Sequence, residues 1–224
     1  MFDQLIIGEK ASLDDFDASI AGRDIGEPTK KEIKDTVPFF NGTYDFSKIN
    51  GELYWNEREL EYAFEIIADT PEELELKKTA FKNWVMNVME EKLYDPYITD
   101  YHFWATFKDI DPADDESLNK TTITVKFTAY PYQIANDPTE YEFVIPAGTE
   151  KTVNIINGGV HGVTPTVVIG AAVTLTVADT IYTAPAGEIT DSRFELVAGG
   201  NTWKIKNEND AECTVTVKFY EEVF

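Results

Sequence analysis

Only one stretch of this chain repeats its apolar residues at a helical interval, and that scarcity constrains the fold more than any other feature. Thr70 is an N-cap residue, Pro71 occupies the first helical position, where a missing N–H costs nothing, and Glu73 completes a Thr-x-x-Glu capping box. Glu72 and Glu75 lie where the helix dipole favours negative charge. Phe81, Trp84, Val85, Val88 and Met89 then recur at intervals of three and four, and Asp95-Pro96 stops the pattern. A helix over residues 71–93 is predicted, and the rest of the chain reads as strand and turn.

Before the helix, turn residues (Gly8, Gly22, Gly26, Pro28, Pro38, Gly42) break every apolar group of residues 1–50, so loops and short strands are expected there. Tyr62, Phe64 and Ile66 alternate toward a strand ending near Ile67. After it, Tyr101, Phe103, Ala105 and Phe107 alternate with His102, Trp104, Thr106 and Lys108, and Ile123, Val125, Phe127 and Ala129 alternate with polar neighbours. Two such strands joined by an acidic loop make a long antiparallel hairpin over residues 101–130. Pro131 and Asn136-Asp137-Pro138 supply the turn chemistry of a boundary.

From Thr139 onward short strands are expected at 141–145, 152–157, 166–169, 173–177, 194–197, 202–207 and 213–220, separated by Gly, Pro, Asn or Asp clusters. This spacing predicts an all-β sandwich. The fold class is therefore mainly β with one helix: an α+β first domain, residues 1–138, and a β-sandwich, residues 139–224.

The 224 residues carry 41 acids against 19 lysines and arginines, a net charge of −22, with only three arginines (Arg23, Arg58 and Arg193). Grip on nucleic acid needs clustered cations, and this balance is the opposite. Cys213 is the sole cysteine, so no internal disulfide forms, and its reading is a small buried apolar side chain. Neither a signal peptide nor a membrane-spanning run is visible.

Catalytic and metal motifs are absent from the sequence pattern. His102 and His161 have no partners at zinc-ligand spacing. No Gly-x-Ser-x-Gly elbow surrounds any serine. The run Asp109 to Glu116 fails the EF-hand pattern, with Asp114 where glycine belongs and Lys120 where glutamate belongs, and reads as a solvated hairpin tip. Asn157-Gly158-Gly159-Val-His161-Gly162 lacks the glycine order and the following helix of a phosphate loop, so a tight β connection is expected. No cofactor is implied and the chain is read as a non-enzyme. Trp203, Tyr182 and Tyr220 offer candidate sugar-stacking aromatics, against a plain role in the core, and a carbohydrate-binding adhesin is the alternative function.

Two segments carry a resemblance. Val37-Pro38-Phe-Phe-Asn41-Gly42-Thr-Tyr44-Asp45-Phe46-Ser47, then Gly51-Glu52 and Glu57-Arg58-Glu59-Leu60 with Phe64, resembles the N-terminal signature of the distal tail protein of long, non-contractile-tailed bacteriophages. Pro165-Thr-Val-Val-Ile169-Gly170, Leu196-Val-Ala-Gly199-Gly200-Asn201 and the last Thr-Val-Thr-Val strand are similar to the galectin-type sandwich appended to many members. The resemblance implies a structural virion protein, made in the bacterial host cytoplasm. The resemblance further implies a hexameric ring at the distal end of the tail, joining tail-tube protein to tail-tip or receptor-binding proteins around a channel through which DNA passes.

Within that reading Asn41-Gly42 suits a turn needing positive φ, Asp45 bonds nearby backbone N–H groups, and Arg58 pairs with a carboxylate inside the subunit or across the ring. Tyr101, Trp104 and Phe107 are the candidate ring interface. The acidity has two open uses, repelling DNA from a channel wall or keeping the subunit soluble.

Overall fold

The computed structural model describes residues 4–36, 38–39, 41–47, 53–115 and 119–224. It divides into two compact units, Met1–Gln133 together with Phe224, and Ile134–Val223.

The first unit runs β1 (Ile6–Ile7), β2 (Lys10–Ala11), α1 (Ser12–Phe16), β3 (Ser19–Ile25), β4 (Lys34–Asp35), β5 (Tyr44–Asp45), β6 (Arg58–Ile67), α2 (Pro71–Val85), β7 (Glu91–Tyr94), β8 (Tyr101–Asp115) and β9 (Lys120–Ala129). One antiparallel sheet has the order β2-β1-β7-β8-β9-β6-β3. Strict alternation in β6 and β9 gives the sheet two unlike faces. Leu60, Tyr62, Phe64 and Ile66 of β6 and Ile123, Val125 and Phe127 of β9 are buried in one core with Leu74, Phe81 and Val85 of α2. Phe81 meets Phe64 with ring centroids 4.9 Å apart, and Trp84 stacks on Phe16 of α1 at 4.6 Å.

The helix starts where its cap requires. Thr70 accepts the Glu73 N–H at 3.2 Å, and Glu73 accepts the Asp69 N–H at 3.2 Å. It ends at Val85 rather than near residue 93. After Val85 the chain tightens through Asn87 N–H to Trp84 C=O and Val88 N–H to Val85 C=O. Strand β8 then captures it: Phe107 N–H donates to Val88 C=O, Glu90 N–H donates to Thr106 Oγ1, and Leu93 pairs with Phe103. Val88 keeps its place in the core, but Met89 is exposed. Tertiary strand pairing has overridden a helical repeat that local sequence would extend.

The hairpin is present, and the acidic run is part of it rather than a loop: β8 continues through Asp115, with Asp109 opposite Lys126 and Asp115 opposite Lys120. A register shift between Phe107 and Asp109 makes this possible. It turns Ile110 toward the core and sends Asp109, Asp111 and Asp115 to the polar face beside Lys126, Thr124 and Lys120.

The second unit follows the division with β10 (Gln133–Ala135), β11 (Thr139–Ile145), β12 (Glu150–Asn157), β13 (Thr166–Ile169), β14 (Val173–Val177), β15 (Thr180–Ala184), β16 (Gly187–Thr190), β17 (Gly199–Lys206), β18 (Cys213–Phe219) and β19 (Glu222–Val223). Two four-stranded sheets, β11-β18-β13-β16 and β12-β17-β14-β15, enclose a core including Val167, Leu175, Trp203, Ile205, Val215 and Val217. Cys213 is a buried free thiol. The edge strands β15 and β16 are not in the sequence expectation, and the expected strand at 194–197 is a 3-10 turn at Ser192–Phe194 followed by a single bridge, Val163 to Leu196.

Candidate functional site

The segment that carries the family resemblance folds as a small clasp in the first unit. Lys34–Asp35 pairs with Tyr44–Asp45, and Gly42 turns the chain at φ 121°, in the region that favours glycine. Asp45 accepts the Ser47 N–H at 2.9 Å, and Ser47 Oγ accepts the Ile33 N–H at 2.9 Å. Bonds from Ser47 hold the Asp45 carboxyl below the usual carboxylate range. Phe46 stacks on Tyr44 and is exposed, as is Pro38; Asn41 is exposed beside Gly42, and Val37, Gly51 and Glu52 lie outside the described residues.

Arg58 opens β6 and is 2% exposed. Nε donates to Gly26 C=O at 2.8 Å, Nη1 to Pro131 C=O at 3.3 Å, Nη2 reaches Glu27 at 3.5 Å, and the guanidinium lies 5.3 Å from the Phe103 ring centre. Its carboxylate partner is thus inside the unit. Burial pulls its pKa down from the ordinary arginine value. A planar fork that ties two loop carbonyls to a strand is a structural fastener.

A second arginine does similar work that the sequence did not point to. Arg23 of β3 sits 3.4 Å from the buried Asp95 carboxylate and 3.7 Å over the Tyr97 ring, with Tyr62 opposite Arg23 in register. Burial, then the Asp95 charge, pushes the Tyr62 phenol far above its ordinary value. The only advance signal was how few arginines the chain spends.

The three hairpin aromatics are not one patch. Phe107 packs against its own core, Tyr101 is half-buried, and Trp104 lies on the polar face with 38% of its surface exposed. That face carries ion pairs from β6: Glu59 with Lys108 and Lys126, Glu61 with Lys126 at 2.9 Å, and Glu65 with Lys120. Beside Trp104 lies a pocket of about 370 Å³ lined by Glu57, Glu90, Thr106, Thr128, Ala129 and Tyr130.

In the sandwich Trp203 takes an inward position of β17, is 1% exposed and packs on Phe194 at 6.1 Å, so it presents no face to a sugar. Tyr182 lies edge-on to Phe194, with Arg193 5.2 Å from its ring centre. Arg193 is itself bound by Asp191, whose pKa these bonds lower to about 2. Tyr220 is exposed. His102 is buried on β8 against Tyr94 and Trp104, and His161 lies 2.5 Å from Glu222. Among the described residues no group of three or more His, Cys, Asp or Glu is placed to hold a metal ion, and no helix is long and apolar enough to cross a membrane.

No family model matches this chain, and no curated protein does. Solved structures do. The crystal structure of SPP1 Dit, described as a paradigm of the hub adsorption apparatus in phages infecting Gram-positive bacteria, is similar over 97% of this chain and 98% of that one, at 11% identity and a TM-score of 0.69. A chain of the phage p2 baseplate in its activated conformation aligns over 95% and 97% of the two chains, at 8% identity and a TM-score of 0.47. The likeness in fold to SPP1 Dit therefore extends over both units of this chain.

Proposed function

We propose that this chain is a structural component of a phage virion whose copies close into a six-membered ring at the distal end of the tail. There it joins the tail-tube protein to tail-tip or receptor-binding proteins and leaves a channel for DNA. The observation that carries this reading is the end-to-end fold likeness to a hub protein of an adsorption apparatus, both units included. The role is assembly, with no catalysis.

The architecture supports closure. A ring generated by rotation needs two different surfaces on each copy, and the first unit's open sheet ends in β2 on one side and β3 on the other. β7 reaches β8 in register only from Phe103 to Ala105, so among the described residues the stretch from Asp109 to Asp115 has β9 as its registered neighbour and offers a further edge. The carboxylates of the polar sheet face suit a wall along which duplex phosphates slide without sticking.

Light scattering on the purified chain tests the ring directly: a particle of six times 25.3 kDa is expected. Gold-labelled antibody against the chain should mark the tail end away from the capsid in electron micrographs. Label along the tube, on the capsid, or nowhere on the virion would overturn the reading.

A further inference from the structure

The pocket beside Trp104 is built differently from the rest of the polar sheet face. Its walls are two aromatics, Trp104 and Tyr130, 38% and 39% exposed, held side by side by Tyr130 N–H donating to Trp104 C=O at 2.9 Å. Thr106 and Thr128 face each other across β8 and β9 and supply hydroxyls, and Ala129 lies at the base. Its charged lining groups are Glu57 and Glu90, both exposed.

Unlike Glu59, Glu61 and Glu65 on the same face, Glu57 and Glu90 form no ion pair with any lysine or arginine among the described residues. Glu90 is also held at φ 51°, a backbone conformation disfavoured for a side-chain-bearing residue and fixed here by its N–H bond to Thr106. Lys92 is opposite Trp104 in register on β7, but it is not part of the lining and is likewise in no ion pair among the described residues.

Glu57 also borders a neighbouring pocket lined by Lys31, Arg58 and Lys108, without an ion pair to any of them. Aromatic faces beside two carboxylates that have no ion-pair partner among the described residues are the chemistry that takes a primary ammonium or guanidinium group. We propose that this pocket receives a lysine or arginine side chain from a second copy of this chain. The inference rests on the ring reading and names one of its contacts. Charge complementarity argues for that occupant: copies that each carry −22 repel one another, and a contact between them that sets one of the 19 cations against an unpaired carboxylate offsets that repulsion. Lys10, exposed on the edge strand β2 and in no ion pair among the described residues, shows that such cations are available.

Two measurements on the full chain test this. In the first, particle mass is compared for wild type, E57K/E90K and E142K/E212K, which makes the same charge change on exposed positions of the second unit. Loss of the ring in E57K/E90K alone, with at least a tenfold rise in the concentration needed for assembly, is expected. A ring that persists in E57K/E90K overturns the pocket and leaves the ring standing. A wild-type protein that stays monomeric at every concentration overturns the second-copy occupant, while the ring reading is still judged by antibody labelling of intact tails.

In the second, N-acetyl-Gly-Lys-Gly-amide is titrated while the Trp104 indole N–H is followed by NMR, the signal being identified by its loss in Trp104→Phe. A saturable shift that disappears in E57Q/E90Q is expected. No shift, the same shift with the Gly-Glu-Gly peptide, or a shift seen only after Lys92→Ala, meaning that the chain fills the pocket itself, each overturns the assignment.

Discussion

The two units bury polar groups of different kinds. The first encloses charge: Arg58, Lys78 and Asp95 are buried, each with a partner of opposite sign. The second encloses neutral amides. Asn157 donates to His161 C=O and Leu196 C=O, Asn201 to Val197 C=O and Gly199 C=O, and Asn207 to Ile145, Pro146 and Ala211 C=O. Each amide fastens a loop of the sandwich, and no proton or salt concentration in the ordinary range alters those bonds. The buried polar fastenings of the sandwich are thus permanent dipoles, its ion pairs such as Arg193–Asp191 and His161–Glu222 lying nearer the surface. The sheet-and-helix unit is fastened by ions whose strength depends on pH and on ionic strength. A unit proposed to close a ring is the one whose fastening responds to its surroundings.

Calorimetry of the full chain can break or sharpen that contrast. Trp203→Ala should have the largest effect, about 3–5 kcal/mol from lost burial and the cavity left behind, confined to the second unit's transition. Arg58→Met comes next: it strips Gly26 C=O and Pro131 C=O of their donor and should lower the first unit's transition by about 2–4 kcal/mol while the sandwich melts unchanged. If either variant moves both transitions equally, the units are not independently fastened. Trp104→Asp should cost only about 1 kcal/mol, since the side chain is partly exposed, yet abolish the ring measured by light scattering. Normal assembly of that variant would remove the hairpin from the interface.

The smallest effect is the most diagnostic of charge. Asp114 reaches Lys78 of α2 at 2.6 Å, and this bond, followed by one to Thr121, lowers the Asp114 pKa below its ordinary 3.8. A lowered carboxyl pKa gives stability that is present above pH 3.8 and is lost as pH falls through the folded value. The same bond raises the Lys78 pKa above 10.5, so the amine's share is complete below that pH and fades as pH rises through the folded value. Asp114→Asn should therefore cost about 0.5–1 kcal/mol at neutral pH, with Glu75 still bound to Lys78, and should lessen the fall of the first unit's melting temperature as pH drops below about 4. An unchanged acid slope would place the sensitivity elsewhere.

What the sequence disclosed depends on whether the deciding interaction was local. The helix start was legible because Thr70, Pro71 and Glu73 satisfy one another within a single turn. The helix end was not, because Leu93 is claimed by Phe103 across the sheet. The acidic run read as a loop because carboxylates depress strand propensity, and Lys120 and Lys126, which make the strand tolerable, lie on the returning strand. Strands β15 and β16 are short and separated by Pro185 and Ala186, so turn residues concealed them. At the candidate site, Trp104 was legible as an outward residue by alternation, but Glu57, Glu90 and Tyr130 come from three other places in the chain and no spacing rule unites them.

One further consequence belongs to Pro112, which stands opposite Ile123 in the outer part of β8. Proline offers no N–H to a newcomer, and the neighbouring Asp109, Asp111, Asp114 and Asp115 resist any acidic strand that approaches. An uncovered edge in a freshly made subunit is a template for fibrils. This one is blunted by Pro112 and its aspartates, which oppose a second strand joining edge to edge.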